Sequence, residues 1–293
     1  GCGNEWVEQD GKLVPVHQTA EYKEALQWMR KIYEDGLVRP DWATVDTSTW
    51  EDGCKKGEAG CFLDTMDGAK RIWNYFTSNN VASVVDPSTT ATMTMVGPIA
   101  KDANSEPRTL ATSGYNGFYL ITKSGAKTEE DLKNCLTFLD KMNDDPMLEL
   151  ADYGIEGISY DLNENGNVVL NPDYDASQTP NCGLNQAVAY IPNMSSVSHP
   201  LEKAESQIES EACQEVNEKY AVFNPALGYL ANSATNAEVG TDIEQIIDDA
   251  RTQYICGQID DAGLDDAAQQ WLDRGGAQLV EEVNELYAAD TNK

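Results

Sequence analysis

The sequence predicts an α/β fold, rich in helix and divided over more than one domain. At 293 residues the chain is long enough for two hydrophobic cores. Short apolar runs of strand length alternate with segments whose apolar residues recur every three or four positions, the periods of sheet and helix. Residues 57–76, GEAGCFLDTMDGAKRIWNYF, join both patterns. Ala59, Cys61, Phe62 and Leu63 form an apolar run, Asp64-Thr65-Met66-Asp67-Gly68 makes a turn rich in side-chain acceptors, and Ile72, Trp73 and Phe76 follow at helical spacing. A buried strand that ends in a polar turn at a helix start is where open α/β sheets commonly seat a ligand.

In chain order, Trp6 to Val16 predicts a strand pair turning at Asp10-Gly11. Tyr22, Ala25, Leu26, Met29, Ile32 and Tyr33 place a helix over 21–35, stopped by Gly36. After the segment at 57–76, Val81 to Val85 and Met93 to Val96 read as strands of a mixed sheet, separated by Asp86-Pro87-Ser88. Residues 114–122, GYNGFYLIT, form a further β run. Thr128 to Asp131 is a capping box whose helix carries a buried stripe of Leu132, Cys135, Leu136 and Leu139. Pro146 suits the start of a helix ending before Tyr153-Gly154.

Asp161 to Val168, DLNENGNV, offers oxygen ligands at Asp161, Asn163 and Asn165, like the first half of a calcium loop. Its twelfth position is Pro172, where such a loop needs a bidentate glutamate, so a hairpin turning at Asn165-Gly166 is preferred. Pro172 to Pro180 reads as a linker. A long helix is expected from His199-Pro200 with Leu201, Ala204, Ile208, Ala212 and Val216 inward, then an aromatic loop over 220–229. A second capping box at Thr241 to Glu244 opens a helix ending at Gly257, and two amphipathic helices close the chain around Gly275-Gly276.

Charge and cysteine usage narrow the function. With 20 basic against 50 acidic residues and a net charge of −30, the chain repels phosphate backbones and anionic lipid, so no nucleic-acid partner is expected. No run of eighteen apolar residues occurs. Seven cysteines without a CxxC, and only His17 and His199 as imidazoles, make a metal site or metal cofactor unexpected. Cys54 and Cys61 could close a small loop in an oxidising medium, while Cys61, Cys135 and Cys256 fall on apolar faces as buried small hydrophobes.

Nucleophile elbows, phosphate loops and dinucleotide fingerprints are absent, so no catalytic residue is assigned. Six Trp and thirteen Tyr against five Phe supply flat apolar faces with polar edges, which suits the C–H faces and hydroxyls of sugars. Trp28 and Trp271 lie in helix patterns and are read as packing residues. The aromatics and polar groups at segment ends are the ligand-binding candidates: Trp42 and Trp50 beside a loop, Asp64, Thr65, Met66 and Asp67 in the turn, Trp73 after it, Tyr115 and Asn116, and Phe223 with Asn224.

Four segments in order, YKEALQWMRKIYEDGLVRPDW at 22–42, KKGEAGCF at 55–62, DYGIEGISYDLNENG at 152–166 and WLDRGGAQLVEEVNELY at 271–287, resemble the lipoprotein-type family 1 extracellular solute-binding proteins of ABC importers. The resemblance implies a two-lobed, periplasmic-binding-protein-like fold of type II. It implies capture of a carbohydrate, an oligosaccharide by preference, by hinge closure, and delivery to ABC permease membrane subunits without cofactor or turnover. The segment after Gly3 resembles a mid-chain stretch of that family, so an incomplete N-terminal lobe is expected, with Gly1-Cys2-Gly3 as a lipobox remnant the weaker reading. On that basis residues 1–113 form the first part of the C-terminal lobe, 114–175 return to the N-terminal lobe, and 176–293 complete the C-terminal lobe. The expected protein is a monomeric cell-surface lipoprotein whose anchor lies outside this chain. By the same resemblance the turn at 64–67 and the loop at 223–224 border the sugar cleft, and Tyr153 and Glu156 match a family motif. The turn here lacks the tryptophan expected within it. An exported glycan-active enzyme and a binder of peptides or polyamines are the rival readings.

Overall fold

The computed structural model describes residues 3–114, 118–171 and 199–291. Contacts divide the chain into two units, one from the described residues of 1–116 and 206–293, the other from those of 117–205. Among the described residues the strands form three two-stranded sheets.

The first unit opens with the expected hairpin, β1 (Trp6–Gln9) antiparallel to β2 (Lys12–Pro15). Asp10 and Gly11 both take positive φ, 52° and 75°, the pair of angles a tight primed turn requires. Helix α1 (Ala20–Glu34) follows, its N-terminus capped by the Thr19 hydroxyl, which accepts from the Tyr22 N–H. Its end is sealed by Gly36 at φ 71°, with the Leu37 N–H bonded to the Ile32 carbonyl at 3.0 Å. After α2 (Asp52–Lys55), α3 (Met66–Ser78) turns Ile72, Trp73 and Phe76 inward, and Ile72 and Phe76 form a small core with Cys54.

Strand β3 (Thr109–Leu110) later pairs in parallel with β6 (Ala221–Val222). Helices α7 (Leu227–Leu230), α8 (Ala234–Ile255), α9 (Asp261–Trp271) and α10 (Ala277–Ala289) complete the unit. The hairpin packs Trp6 and Leu13 against Ile243, Trp271, Leu279 and Val283. A second cluster joins α1 to α8 through Leu26, Tyr254 and Ile255.

The second unit holds α4 (Glu129–Lys141), α5 (Asp145–Asp152) and the hairpin of β4 (Tyr160–Leu162) and β5 (Val168–Leu170). Thr128 and Asp131 form the expected capping box, and the proline-started α5 ends at Tyr153. At the hairpin the Asn163 side chain accepts from the N–H groups of Asn165 and Asn167, so its oxygen is spent on the turn. Met142, Leu148, Ala151, Tyr160 and Val168 are buried.

Several local expectations are corrected. Residues 59–63 form no strand, and Leu63 is 87% exposed. Residues 81–85 and 93–96 likewise form no sheet beyond one bridge between Ala82 and Thr90, and residues 118–121 form no strand. The stripe on α4 is not buried.

The helix expected from Pro200 starts later, as α6 (Glu205–Glu218), because residues 200–202 pair with Val168 instead. α6 also turns the other way, burying Ser206 and Ser210 and exposing Ile208 and Val216, since α3 offers it polar partners: Ser206 donates to Asn74 at 2.7 Å, and Lys70 donates to Gln207 at 3.0 Å. α8 begins eight residues' worth of chain before the box at Thr241, at a Ser233 cap fixed by Glu282. Trp28 is exposed, as are Cys61 and Cys135, and Cys256 is half-buried. The linker at 172–180 lies outside the described residues.

Candidate functional site

The polar turn at 64–67 sits at the head of α3, and the structure gathers a compact group around it. Thr65 is the N-cap residue and Met66 the first helical residue. The Asp64 carboxylate folds over the first turn of the helix, where one oxygen accepts from the Thr65 N–H at 2.7 Å. A Cβ on Gly68 would lie 1.9 Å from the other Asp64 oxygen, so only glycine at 68 admits the carboxylate there. The positive end of the helix favours that placement.

Arg71, one turn further on, binds three carboxylates. Its guanidinium donates to Glu51 through Nε at 2.8 Å, pairs with Asp67, and stands 3.5 Å from Asp64. Glu51 also meets Lys55 at 2.8 Å, and these two cations, Lys55 first, hold its carboxyl below the usual range. Lys55 lies 5.4 Å above the Tyr75 ring, a cation–π contact. Trp50 stands edge-on to Phe62 with centroids 5.9 Å apart and remains 42% exposed. The result is an open surface of exposed aromatic faces beside hydrogen-bonding groups held in place by ion pairs. Such a surface can stack on an apolar face and accept from or donate to hydroxyls.

Of the candidates read from sequence, Trp50, Asp64, Thr65, Met66 and Asp67 come together here. Trp73 is 8% exposed on the core side of α3 and offers no face to solvent. Trp42 packs against the Leu26–Tyr254–Ile255 cluster, its indole N–H buried without an acceptor. Phe223 is exposed elsewhere, and Asn224 donates to Glu5 at 2.7 Å while accepting from the Ala226 N–H. Tyr115 and Asn116 lie outside the described residues. In the second unit Tyr153 stacks edge-on to Tyr160 at 6.0 Å, a packing contact.

Sequence reasoning missed Glu51, Lys55 and Arg71. The signal was present as two pairs four residues apart, Glu51/Lys55 and Asp67/Arg71. Among the described residues no group of three or more His, Cys, Asp or Glu side chains is placed to hold a metal ion. The two carboxyls raised by burial, Asp152 and Glu244, belong to different units.

The fold has a counterpart among solved structures. The calcium-free alginate-binding protein AlgQ2 superposes with a TM-score of 0.58 at 15% identity, over 97% of this chain and 58% of that chain. The fold is therefore periplasmic-binding-protein-like, the class of the solute-binding proteins. In sequence, the chain is 35% identical over 287 residues to lipoprotein LipO of Bacillus subtilis (strain 168). It is 27% identical over 292 residues to polygalacturonan/rhamnogalacturonan-binding protein YtcQ of the same organism. Each match takes in 98% of this chain and 55% or 54% of the relative, so the chain spans about half the length of the curated relatives it matches. No protein-family model matches it. The resemblance to solute-binding lipoproteins, read from four short motifs, is thus matched along nearly the whole chain by a lipoprotein and a polysaccharide-binding protein.

Proposed function

We propose that this chain is part of an extracellular, lipid-anchored solute-binding protein that captures a carbohydrate, by preference an oligosaccharide, and hands it unchanged to an ABC permease. The observation that carries this reading is the similarity over 98% of the chain to a relative named for binding polygalacturonan and rhamnogalacturonan. The group around Arg71 supports it chemically. Trp50 supplies a stacking face, and the carboxylates of Asp64, Asp67 and Glu51 are oriented by one guanidinium, so little ordering is required when a hydroxyl arrives. Residues 117–205 belong to the second lobe in this reading, and ligand binding shifts the protein toward a closed state that both lobes contact.

The test is a tryptophan-fluorescence titration of the full-length gene product with neutral and uronate-containing oligosaccharides, followed by recovery of each sugar. A saturable response with intact sugar is expected. Cleaved sugar would overturn the reading in favour of an enzyme. Response only to peptides or polyamines, with affinity falling steeply in salt, would replace sugar by a cationic ligand.

A further inference from the structure

The charged groups around the 64–67 turn decide which sugars the candidate site can accept. From Asp46 to Arg71 the chain carries six acidic residues against four basic ones, a formal charge of −2. All four cations already have carboxylate partners. Lys55 meets Glu51 at 2.8 Å, Lys56 meets Asp52 at 3.3 Å, and Lys70 stands 3.7 Å from Asp67 while donating to Gln207. The Arg71 guanidinium is shared among Glu51, Asp64 and Asp67. Arg39, whose charge reaches Glu58, is held by both oxygens of Asp41, at 2.7 and 2.9 Å. Of the 20 lysines and arginines only Lys293 lies outside the described residues, so this count rests on described side chains.

A uronate brings a carboxylate, which gives up its water only for a cation or for several donors. To bind here it would have to draw Arg71 away from its partners. One of these, Glu51, has a side chain only 12% exposed and would be left with Lys55 alone. Asp64 adds to the opposition, because its side chain is 9% exposed and the oxygen lying over Gly68 accepts no hydrogen bond. A sugar hydroxyl meets no such obstacle, since it is uncharged and donates to a carboxylate. The Trp50 face can stack on either kind of sugar, so charge is what separates them. We infer that the surface formed by Trp50 and the ion pairs of Glu51, Asp67 and Arg71 selects neutral oligosaccharides over uronates of the same length and linkage. The inference rests on the carbohydrate-capture reading and narrows it, setting this chain apart from the relative named for polygalacturonan.

The full-length gene product is titrated calorimetrically with matched pairs: galacturonate, mannuronate and glucuronate oligomers, each beside its carboxyl-reduced counterpart, in which every carboxylate has become a hydroxymethyl group. The neutral member of a pair should bind about tenfold more tightly, or better, at low salt, and the margin should narrow as salt is raised. Asp67→Asn, which removes a carboxylate that is 62% exposed, should narrow the low-salt margin by about threefold. A uronate bound as tightly as its neutral counterpart would overturn the inference and leave sugar capture standing, as would a margin that Asp67→Asn leaves unchanged. No response to any member of any pair would overturn sugar capture itself, and the inference with it.

Discussion

The side-chain amide of Asn284 takes the place of a neighbouring strand beside Leu13. Its oxygen accepts from the Leu13 N–H at 2.8 Å and its nitrogen donates to the Leu13 carbonyl, also at 2.8 Å. Leu13 is fully buried, so both backbone groups would otherwise be stranded without water. Asn284→Leu should destabilise the chain by about 2–4 kcal/mol, since two buried backbone groups lose their partners. Urea unfolding measures this. A loss below about 0.5 kcal/mol would mean that water replaces the amide.

His17 packs edge-on to Trp271 with centroids 4.5 Å apart, and its Nε2 is buried without a partner. Burial lowers its pKa from 6.5 to about 4. Between those values the unfolded chain binds the proton and the folded one does not, so stability rises with pH. The contribution is fully present above 6.5 and lost as pH falls to about 4, on the order of 2–3 kcal/mol. His17→Phe should flatten the stability profile between pH 4 and 6.5, measured by denaturant unfolding across that range.

Glu282 accepts from the Ser233 hydroxyl at 2.6 Å, from the Thr235 hydroxyl at 2.6 Å and from the Thr235 N–H at 3.1 Å, joining α10 to the start of α8. These bonds, that from Ser233 foremost, lower its pKa from 4.5 to about 2. Here, unlike at His17, it is the charged form that favours folding, and its contribution is present above pH 4.5 and lost as pH falls through 2. Glu282→Gln should lower the Tm at pH 7 and shrink the difference in Tm between pH 5 and pH 2.5. An unchanged acid limb would assign that loss to other carboxylates.

Gly68→Ala should displace the Asp64 carboxylate from the head of α3 and destabilise the chain by about 1–3 kcal/mol through overpacking. If the turn binds ligand, the same variant weakens affinity, and Asp64→Asn, which keeps the shape, weakens it with a smaller change in Tm.

Trp50→Ala should lower sugar affinity by about tenfold, the value of one stacked aromatic face. Trp42→Phe should leave affinity within about twofold, because that indole packs between helices. Isothermal titration of the full-length protein separates the two.

How far these features could be read from the chain follows from how local their causes are. The primed turn at Asp10-Gly11, the Gly36 stop, the Thr128–Asp131 box and the hairpin at Asn165-Gly166 are each fixed by residues within a few positions of one another, and all are present. Which face a helix buries depends on distant neighbours. α6 turns Ser206 inward because Asn74 waits there, and α8 starts at Ser233 because Glu282 does, 49 residues further on. β-propensity in residues 59–63 and 118–121 needs a partner strand to be realised. In the candidate site the acidic turn was legible from its composition, whereas Arg71 as its organiser was not, because an exposed arginine on a helix is ordinarily just a solvated side chain.

The first unit is assembled from two separated segments, 1–116 and 206–293, with the second unit between them in sequence. Emerging from a ribosome or an export channel, the Trp6–Pro15 hairpin must therefore wait, its apolar face open, until α9 and α10 have been made. Vectorial synthesis thus leaves the unit containing the candidate site open to aggregation while residues 117–205 and the helices after them are made.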